Sequence, residues 1–313
     1  MELYQLRSFA AVAATGHLTR AAEKLHVSQP ALSAQIKALE DELGVLLFER
    51  GPTGMTLTAA GKRLLPEAES VVNAAQSLRS QARALQGETA GHLTVGTVSD
   101  PEFLRLPMVL SRALEKYPLL EIELHHEISG VAFEKVRDGA LDAAFYFGDR
   151  EDPKVSSITL RDIAYRIVAP GAWRERIANA SWEEIAAEPW LIAPSISTHY
   201  ALASELFRAR GSAPERRVEV DNEGVISALV TNGLGVSLMR EDLAQSLEAS
   251  GELCVWSDVR LPTSLRFIFN HSRRRDPALR SLVAIVRDTW QEEEAGGRIG
   301  KRTSIRRRDP VSV

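Results

Sequence analysis

Apolar positions in the first forty residues repeat at helical spacing, and the period then changes. Leu3, Leu6, Phe9, Ala10, Ala13 and Ala14 share one helical face, which predicts a helix from about Leu3 to Thr15, ended by Gly16. Ala21, Ala22 and Leu25 give a second, short helix from about Thr19 to Leu25. Ser28 suits an N-cap and Pro30 a first turn, so a third helix opens there with Ala31, Leu32, Ile36 and Leu39 on its buried side. Two short extended segments follow, Leu46 to Arg50 and Met55 to Thr58, joined by the turn Gly51-Pro52-Thr53-Gly54. Two helices joined by a tight turn, the second opening on small and amide side chains, followed by a two-stranded wing, make a winged helix-turn-helix. Such a unit presents base-reading groups to a DNA major groove.

An alanine-rich helix is predicted from Thr58 to Gln86, with almost no breakers after Gly61 and Pro66. Leu64, Ala68, Val71, Ala75, Leu78, Ala82 and Leu85 are spaced 4-3-4-3-4-3 along it, a heptad that suits a dimerisation seam. At ~1.5 Å per residue this helix reaches roughly 40 Å. The alternative is an ordinary amphipathic helix packed on its own domain. Gly87 to Gly91 reads as a hinge. From His92 strands and helices alternate: strands at Leu93–Val98, Leu120–His125, Leu141–Phe147, Ile163–Val168, Trp190–Ala193, Arg217–Val220, Gly235–Met239 and Leu265–Phe269. The helices fall at Pro101–Tyr117, Gly130–Asp138, Trp182–Ala187, His199–Arg210, Glu223–Asn232 and Pro277–Glu292. That alternation implies parallel-rich sheets, and its two cycles imply two subdomains with a cleft between them. The expected organisation is a DNA-binding unit over 1–58, a linker helix and hinge over 59–91, an α/β domain over 92–294 and a basic, disordered tail over 295–313. Within the α/β domain, about 92–162 with 267–294 forms one subdomain and 163–266 the other.

Composition narrows the class. The 313 residues carry 44% hydrophobic and 26% charged positions, ordinary for a globular protein. The net charge of −4 is mildly acidic. Even the first 63 residues set seven basic side chains against six carboxylates, so modest affinity per DNA-binding unit and a need for dimerisation are expected. The one cysteine, Cys254, rules out an intrachain disulfide and fits a reducing cytoplasm. No signal-peptide pattern opens the chain, and no apolar run approaches the ~20 residues of a membrane span.

The strings Leu18-Thr19-Arg20-Ala21-Ala22, Ser28-Gln29-Pro30-Ala31-Leu32-Ser33, Gln35-Ile36-Lys37-Ala38-Leu39-Glu40, Leu43 to Arg50 and Leu57-Thr58-Ala59-Ala60-Gly61 occur in an order and spacing that closely resemble the amino-terminal domain of the LysR-type transcriptional regulators. Gly139-Ala140-Leu141-Asp142 and Asn232 to Val236 extend the resemblance more loosely, to about residue 290. It implies an α/β protein with an N-terminal winged helix-turn-helix, a linker-helix dimer and a two-subdomain effector domain shaped like a type 2 periplasmic binding protein. It further implies homodimers that assemble into homotetramers on promoter DNA, regulation of transcription in the cytoplasm by a small coinducer, RNA polymerase as a further partner, and no cofactor. Two features depart from the pattern: the strand ending Ala143-Ala144-Phe145-Tyr146-Phe147 is unusually aromatic, and the basic tail has no counterpart.

Gln29 can read an adenine edge, and Pro30 offers apolar contact to a thymine methyl. Ser28 and Ser33 suit phosphate oxygens, Ser28 also serving as a cap. Arg50, leading into the wing, resembles a family residue that reaches the DNA backbone or minor groove, and Thr53 adds a phosphate contact. Arg20 either meets phosphate or pairs with a carboxylate of its own domain. In the α/β half, Ser99, Asp100, Ser129, Phe147 and Gly148 fall at strand ends of one subdomain. Ser197, Thr198, His199 and Asn222 fall at the corresponding junctions of the other. These positions resemble effector contacts in the family, and for each hydroxyl a helix cap is the alternative. Hydroxyls at helix N-termini favour an anionic, carboxylate-bearing ligand. His199 is either a cationic anchor or a neutral, hydrogen-bonded ring. His125 and His126 point to opposite faces of a strand and make no metal pair.

Two other classes compete: a small-molecule binding module without gene control, and an enzyme. The chain has no Gly-x-Ser-x-Gly, phosphate-binding loop or His/Cys metal spacing, which leaves enzymatic function without a constellation to carry it.

Overall fold

Three short helices enclose a core that their sequence periods predict: α1 (Leu3–Thr15), α2 (Leu18–Lys24) and α3 (Gln29–Leu43). Leu6, Phe9, Val12, Leu32, Ile36 and Leu39 are buried at its centre. Gly16 and Gly44 end α1 and α3 in the left-handed conformation that glycine adopts without strain. The computed structural model describes residues 1–51, 54–85, 89–98 and 100–303. The wing is an antiparallel pair, β1 (Phe48–Gly51) and β2 (Gly54–Leu57), with Phe48 opposite Leu57. It is pinned from two sides. Phe48 stacks edge-on against Phe9 at 5.5 Å, and Glu40 Oε1 accepts from the backbone N–H of Leu47 at 2.7 Å and of Phe48 at 3.2 Å.

Helix α4 (Ala59–Ala84) does two jobs along its length. Its first turns carry Leu64, Leu65, Ala68 and Val72 into the core of the helix-turn-helix. Further along it lies against the α/β half, where Asn73 Nδ2 donates to the Gly139 carbonyl and Ser80 is buried.

The α/β half is one eight-stranded sheet. In chain order it comprises β3 (Ala90–Thr97), α5 (Leu106–Lys116), β4 (Leu119–His126), α6 (Ser129–Asp138), β5 (Ala143–Phe147) and β6 (Val155–Pro170). A 3₁₀ turn precedes α7 (Arg174–Ile177), followed by α8 (Trp182–Ala187), β7 (Pro189–Ile192), α9 (Thr198–Ala209), β8 (Arg216–Glu219) and α10 (Glu223–Thr231). Then come β9 (Val236–Arg240), α11 (Glu241–Ala249), β10 (Leu253–Asn270) and α12 (Pro277–Thr303). The strand order is β4-β3-β5-β10-β6-β9-β7-β8. β3 pairs parallel with β4 and β5 in one half, and β7 parallel with β8 and β9 in the other. The long antiparallel pair β6–β10 runs through both halves and joins them.

Several expected elements need correction. The strands expected at Ile163–Val168 and Leu265–Phe269 are the inner parts of β6 and β10, which extend each other by pairing along nearly their whole length. The helix expected from Pro101 starts at Leu106. Residues 101–105 form a separate turn closed by Arg105 N–H on the Glu102 carbonyl, and Pro107 then occupies the first turn of α5, where its missing N–H costs little. Helix α11 is an addition to the expected set. The last helix continues past Glu292 to Thr303, and residues 304–313 of the expected tail lie outside the described residues.

A buried ion triad fastens the first half. Arg273 lies between Asp142 and Asp276, all three at most 4% exposed. Asp142 also accepts from Thr94 N–H at 2.8 Å, and Asp276 caps α12 through Leu279 N–H at 3.1 Å. The second half is built on aromatic packing: Trp182, Trp190, Phe207 and Trp256 form a continuous cluster with Trp190 fully enclosed.

Candidate functional site

The head of α3 stands clear of the protein. Ser28 accepts from Ala31 N–H at 3.3 Å and so caps the helix. Gln29 and Pro30, next in line, are exposed. The amide of Gln35 is occupied inside the domain, where its Oε1 meets the Ser8 hydroxyl at 2.5 Å. Gln29, by contrast, is exposed at the head of the helix. Arg50 Nη2 donates to Ser33 Oγ at 3.4 Å, which brings the wing strand and the middle of α3 into one surface. Lys37, one turn beyond Ser33, lines the same groove and is absent from the sequence-derived set; its i, i+4 spacing from Ser33 was the available signal. Arg20 is exposed and forms no ion pair among the described residues. Thr53 lies outside the described residues.

The seam residues divide. Leu64 and Ala68 pack within the helix-turn-helix core. Ala75 is half-buried, whereas Val71, Leu78, Ala82 and Leu85 are exposed, Leu78 at 69% and Leu85 at 90%.

In the α/β half, a cavity of about 820 Å³ opens where the carboxyl ends of the parallel strands from both halves face each other. Thr97, His126 and Phe147 mark the ends of β3, β4 and β5; Ala193 follows β7, Asp221 lies just past β8, and Leu238 is within β9. Of the expected contacts, Asp100, Ser129, Phe147, Thr198, His199 and Asn222 line the cavity. Two do not. Gly148 turns away to donate to the Ser264 carbonyl, and Ser197 is spent as the cap of α9, accepting from Tyr200 N–H at 3.0 Å. Ser99 lies outside the described residues. Asn222 both lines the cavity and caps α10 through Val225 N–H at 3.1 Å.

The two halves touch across the cavity. Thr198 Oγ1 donates to the Phe147 carbonyl, and the start of α6 approaches the Ile196 carbonyl so closely that a Cβ at Gly130 would collide with it. His199 is not a cationic anchor. Its Nδ1 accepts from Ala193 N–H at 3.3 Å, which places the ring proton on Nε2, 3.1 Å from the Leu238 carbonyl. Burial pushes its pKa down to about 4, so the ring is neutral.

Tyr165 and Arg240 are among the lining residues that escape sequence reasoning. They sit directly opposite each other in the β6–β9 ladder, 75 positions apart in the chain. Arg240 is 3% exposed, bridges Glu223 at 2.9 Å and Asp242 at 3.1 Å, and lies 3.6 Å over the Phe103 ring. Tyr165 is buried, and burial raises its pKa, so the phenol stays protonated. The only advance signal was a charged residue closing the apolar run at 235–239.

Family models match both parts of the chain. Residues 3–62 match the bacterial regulatory helix-turn-helix protein, lysR family, and residues 86–291 match the LysR substrate binding domain. The chain is 30% identical over 252 residues to the HTH-type transcriptional regulator ClcR of Pseudomonas putida, covering 78% of this chain and 84% of ClcR. It is 26% identical to XapR of Escherichia coli, covering 91% and 97% of the two chains. Among solved structures, a full-length, singly substituted OxyR from Pseudomonas aeruginosa superposes with a TM-score of 0.66 at 26% identity, covering 92% of this chain and 95% of that one. Full-length CbnR complexed with its target DNA superposes at 0.58 with 25% identity, covering 92% and 99%. Among the described residues, no helix is long and apolar enough to cross a membrane.

Proposed function

The chain belongs to the LysR family of DNA-binding transcriptional regulators, and from that premise we propose that a small organic ligand, held between the two halves of the effector domain, changes how the protein grips promoter DNA. The observation that carries this reading is the pairing of an exposed base-reading head with a remote, polar-lined cavity between two halves in contact. Gln29 reads a base edge; Pro30 meets a thymine methyl; Arg20, Ser28, Ser33 and Arg50 hold phosphates. The protein acts as a homodimer and assembles to a homotetramer, with the exposed Val71, Leu78, Ala82 and Leu85 supplying the seam and Leu64 and Ala68 anchoring it to the DNA-binding unit.

The ligand carries an anionic group, a carboxylate in the simplest case. The start of α6 supports this: Ser129 opens a ten-residue helix, lines the cavity, and makes no side-chain hydrogen bond among the described residues. The ligand acts by binding one arrangement of the two halves better than another, which re-sets the packing of dimers on DNA.

The test combines gel retardation with sedimentation. Full-length protein is expected to retard the fragment upstream of its own coding region and to sediment as a dimer or larger, and Leu78→Glu to lower the assembly state. A monomer that leaves the fragment unretarded contradicts the reading.

A further inference from the structure

Helix α4 has two unlike faces. Val71, Leu78, Ala82 and Leu85 stand exposed on one. Glu69, Asn73 and Ser80 follow at spacings of four and seven, which at about 3.6 residues per turn gathers them on the opposite side of the helix from Leu78. This second face is the one that meets the effector half. Asn73 Nδ2 donates to the carbonyl of Gly139, the residue that ends α6 in the left-handed conformation. A Cβ at Gly139 would stand 3.2 Å from that same amide nitrogen. Ser80 is buried, and a Cβ at Gly91 of β3 would lie 2.7 Å from its hydroxyl oxygen. The two glycines thus let the helix and the effector half approach closely.

The third member of this face is a carboxyl group. Glu69 lies one turn before Asn73, on the side where α6 ends. Two charges of α6 act on it: Asp138, the last residue of that helix, opposes its ionisation, and Lys135 favours it. Asp138 is held by Arg137 through both oxygens, at 2.8 and 3.1 Å. Lys135 is bridged by Glu127, and Arg137 also by Glu134, which pairs with Arg150. Helix α1, packed on the early turns of α4, presents apolar Leu6, Phe9 and Val12 to their shared core. The carboxyl end of a helix is its negative pole, so an ionised Glu69 meets that pole as well as Asp138. Burial is the largest cause and Asp138 the next, and together they raise the Glu69 pKa from 4.5 to about 7.

We propose that Glu69, Asn73 and Ser80 form a proton-sensitive latch that docks the effector half on the linker helix. Protonated Glu69 leaves the latch shut; ionised Glu69, set against Asp138 and the end of α6, loosens it. The docked carboxyl holds its proton more tightly than a freed one, so docking is strongest below pH 4.5 and weakens as pH rises through 7. The exposed apolar face of α4 takes no part, so the effector half gains freedom without any change at that face. Helix α6 opens with Ser129 at the cavity wall, so the latch grips the far end of an element that reaches the cavity. The device goes beyond the proposed function and requires no effector.

Hydrogen–deuterium exchange of the full-length protein at about pH 6 and pH 8, corrected for the intrinsic pH dependence of exchange, tests this. Protection over residues 66–80 and 132–142 is expected to fall about fivefold from pH 6 to pH 8 in wild type and to stay level in Glu69→Gln. Residues 182–192, in the second half, are expected to keep their protection at both pH values. Asp138→Asn, which keeps Glu69 and removes the opposing charge, is expected to shrink the step. Asn73→Ala is expected to lower protection of the same two segments at both pH values. Equal protection of wild type at pH 6 and pH 8 overturns the proposal, and so does an equal fall in wild type and Glu69→Gln. Sedimentation under the same conditions is expected to show an unchanged assembly state. A fall in assembly state at pH 8 that Glu69→Gln does not prevent places the loosening in the apolar face instead, and also overturns the proposal.

Discussion

The two functional regions of this protein are built on opposite plans. The proposed DNA-reading head is contiguous: Ser28, Gln29, Pro30 and Ser33 follow one another at the start of a single helix, and Arg50 comes from another element. The proposed effector cavity draws its walls from both halves of an eight-stranded sheet, and its opposed pair Tyr165 and Arg240 meets only because β6 and β9 adjoin. A head of the first kind is specified by local capping and periodicity. A cavity of the second kind exists only after the topology is complete. Substitutions should therefore separate the two regions, with graded force.

The largest separation comes from the buried triad. Arg273→Leu leaves Asp142 and Asp276 as buried, uncompensated carboxylates and should cost about 3–5 kcal/mol. All five tryptophans lie beyond residue 170, so fluorescence-detected urea unfolding reports this loss in the effector half. The helix-turn-helix, with its own core, should keep binding DNA under conditions where that half has unfolded. Joint loss of both would show that the regions fold as one unit.

Next come two titrations of opposite sign. His199, neutral in the fold with a pKa of about 4 against 6.5 in the unfolded chain, gives stability that is complete above pH 6.5 and is lost as pH falls toward 4. The steepest slope is about 1.4 kcal/mol per pH unit. Glu69 on α4 behaves in reverse. Burial, reinforced by Asp138, raises its pKa from 4.5 to about 7, so stability falls as pH rises from 4.5 to 7. The two effects oppose each other between about pH 4.5 and 6.5. His199→Gln should remove the acid-side loss, and Glu69→Gln should stabilise the protein at pH 8 by on the order of 1 kcal/mol after solvent screening. Urea melts at about pH 4.5, 6 and 8 check both; identical profiles for wild type and variants would remove these assignments.

The smallest effect lies in the head itself. Ser28→Ala deletes one cap bond and should cost about 1 kcal/mol of stability, read by thermal melting of the helix signal against the tryptophan signal. A change confined to the tryptophan transition would contradict the placement of Ser28.

These contrasts explain what could be read in advance. The ends of α1, the Ser28 cap and the wing were legible because each is a short-range signal: a glycine after the last apolar position, a hydroxyl before a proline, a turn between two extended runs. The lengths of β6 and β10 were not. Stretches such as Ser156-Ser157 and Arg260 to Ser264 have weak strand preference of their own and are extended because each pairs with a neighbouring strand. Helix α11 does carry a readable period, in Leu243, Ala244 and Leu247. In the cavity, strand-end positions such as Ser129, Phe147 and Asn222 followed from the βα rule, while Ser197 and Gly148 failed it because local caps and turns claimed them first. Arg240 and Tyr165 lay in or beside apolar runs, and nothing short of the sheet order could pair them.

The central claim is that the head of α3 reads bases rather than merely holding DNA. The most direct measurement is the ratio of affinities for the upstream fragment and for a scrambled fragment of equal length, at fixed salt, in wild type and Gln29→Ala. The account predicts that the substitution lowers the ratio by roughly tenfold to a hundredfold with nonspecific affinity nearly unchanged; equal losses on both fragments would contradict it.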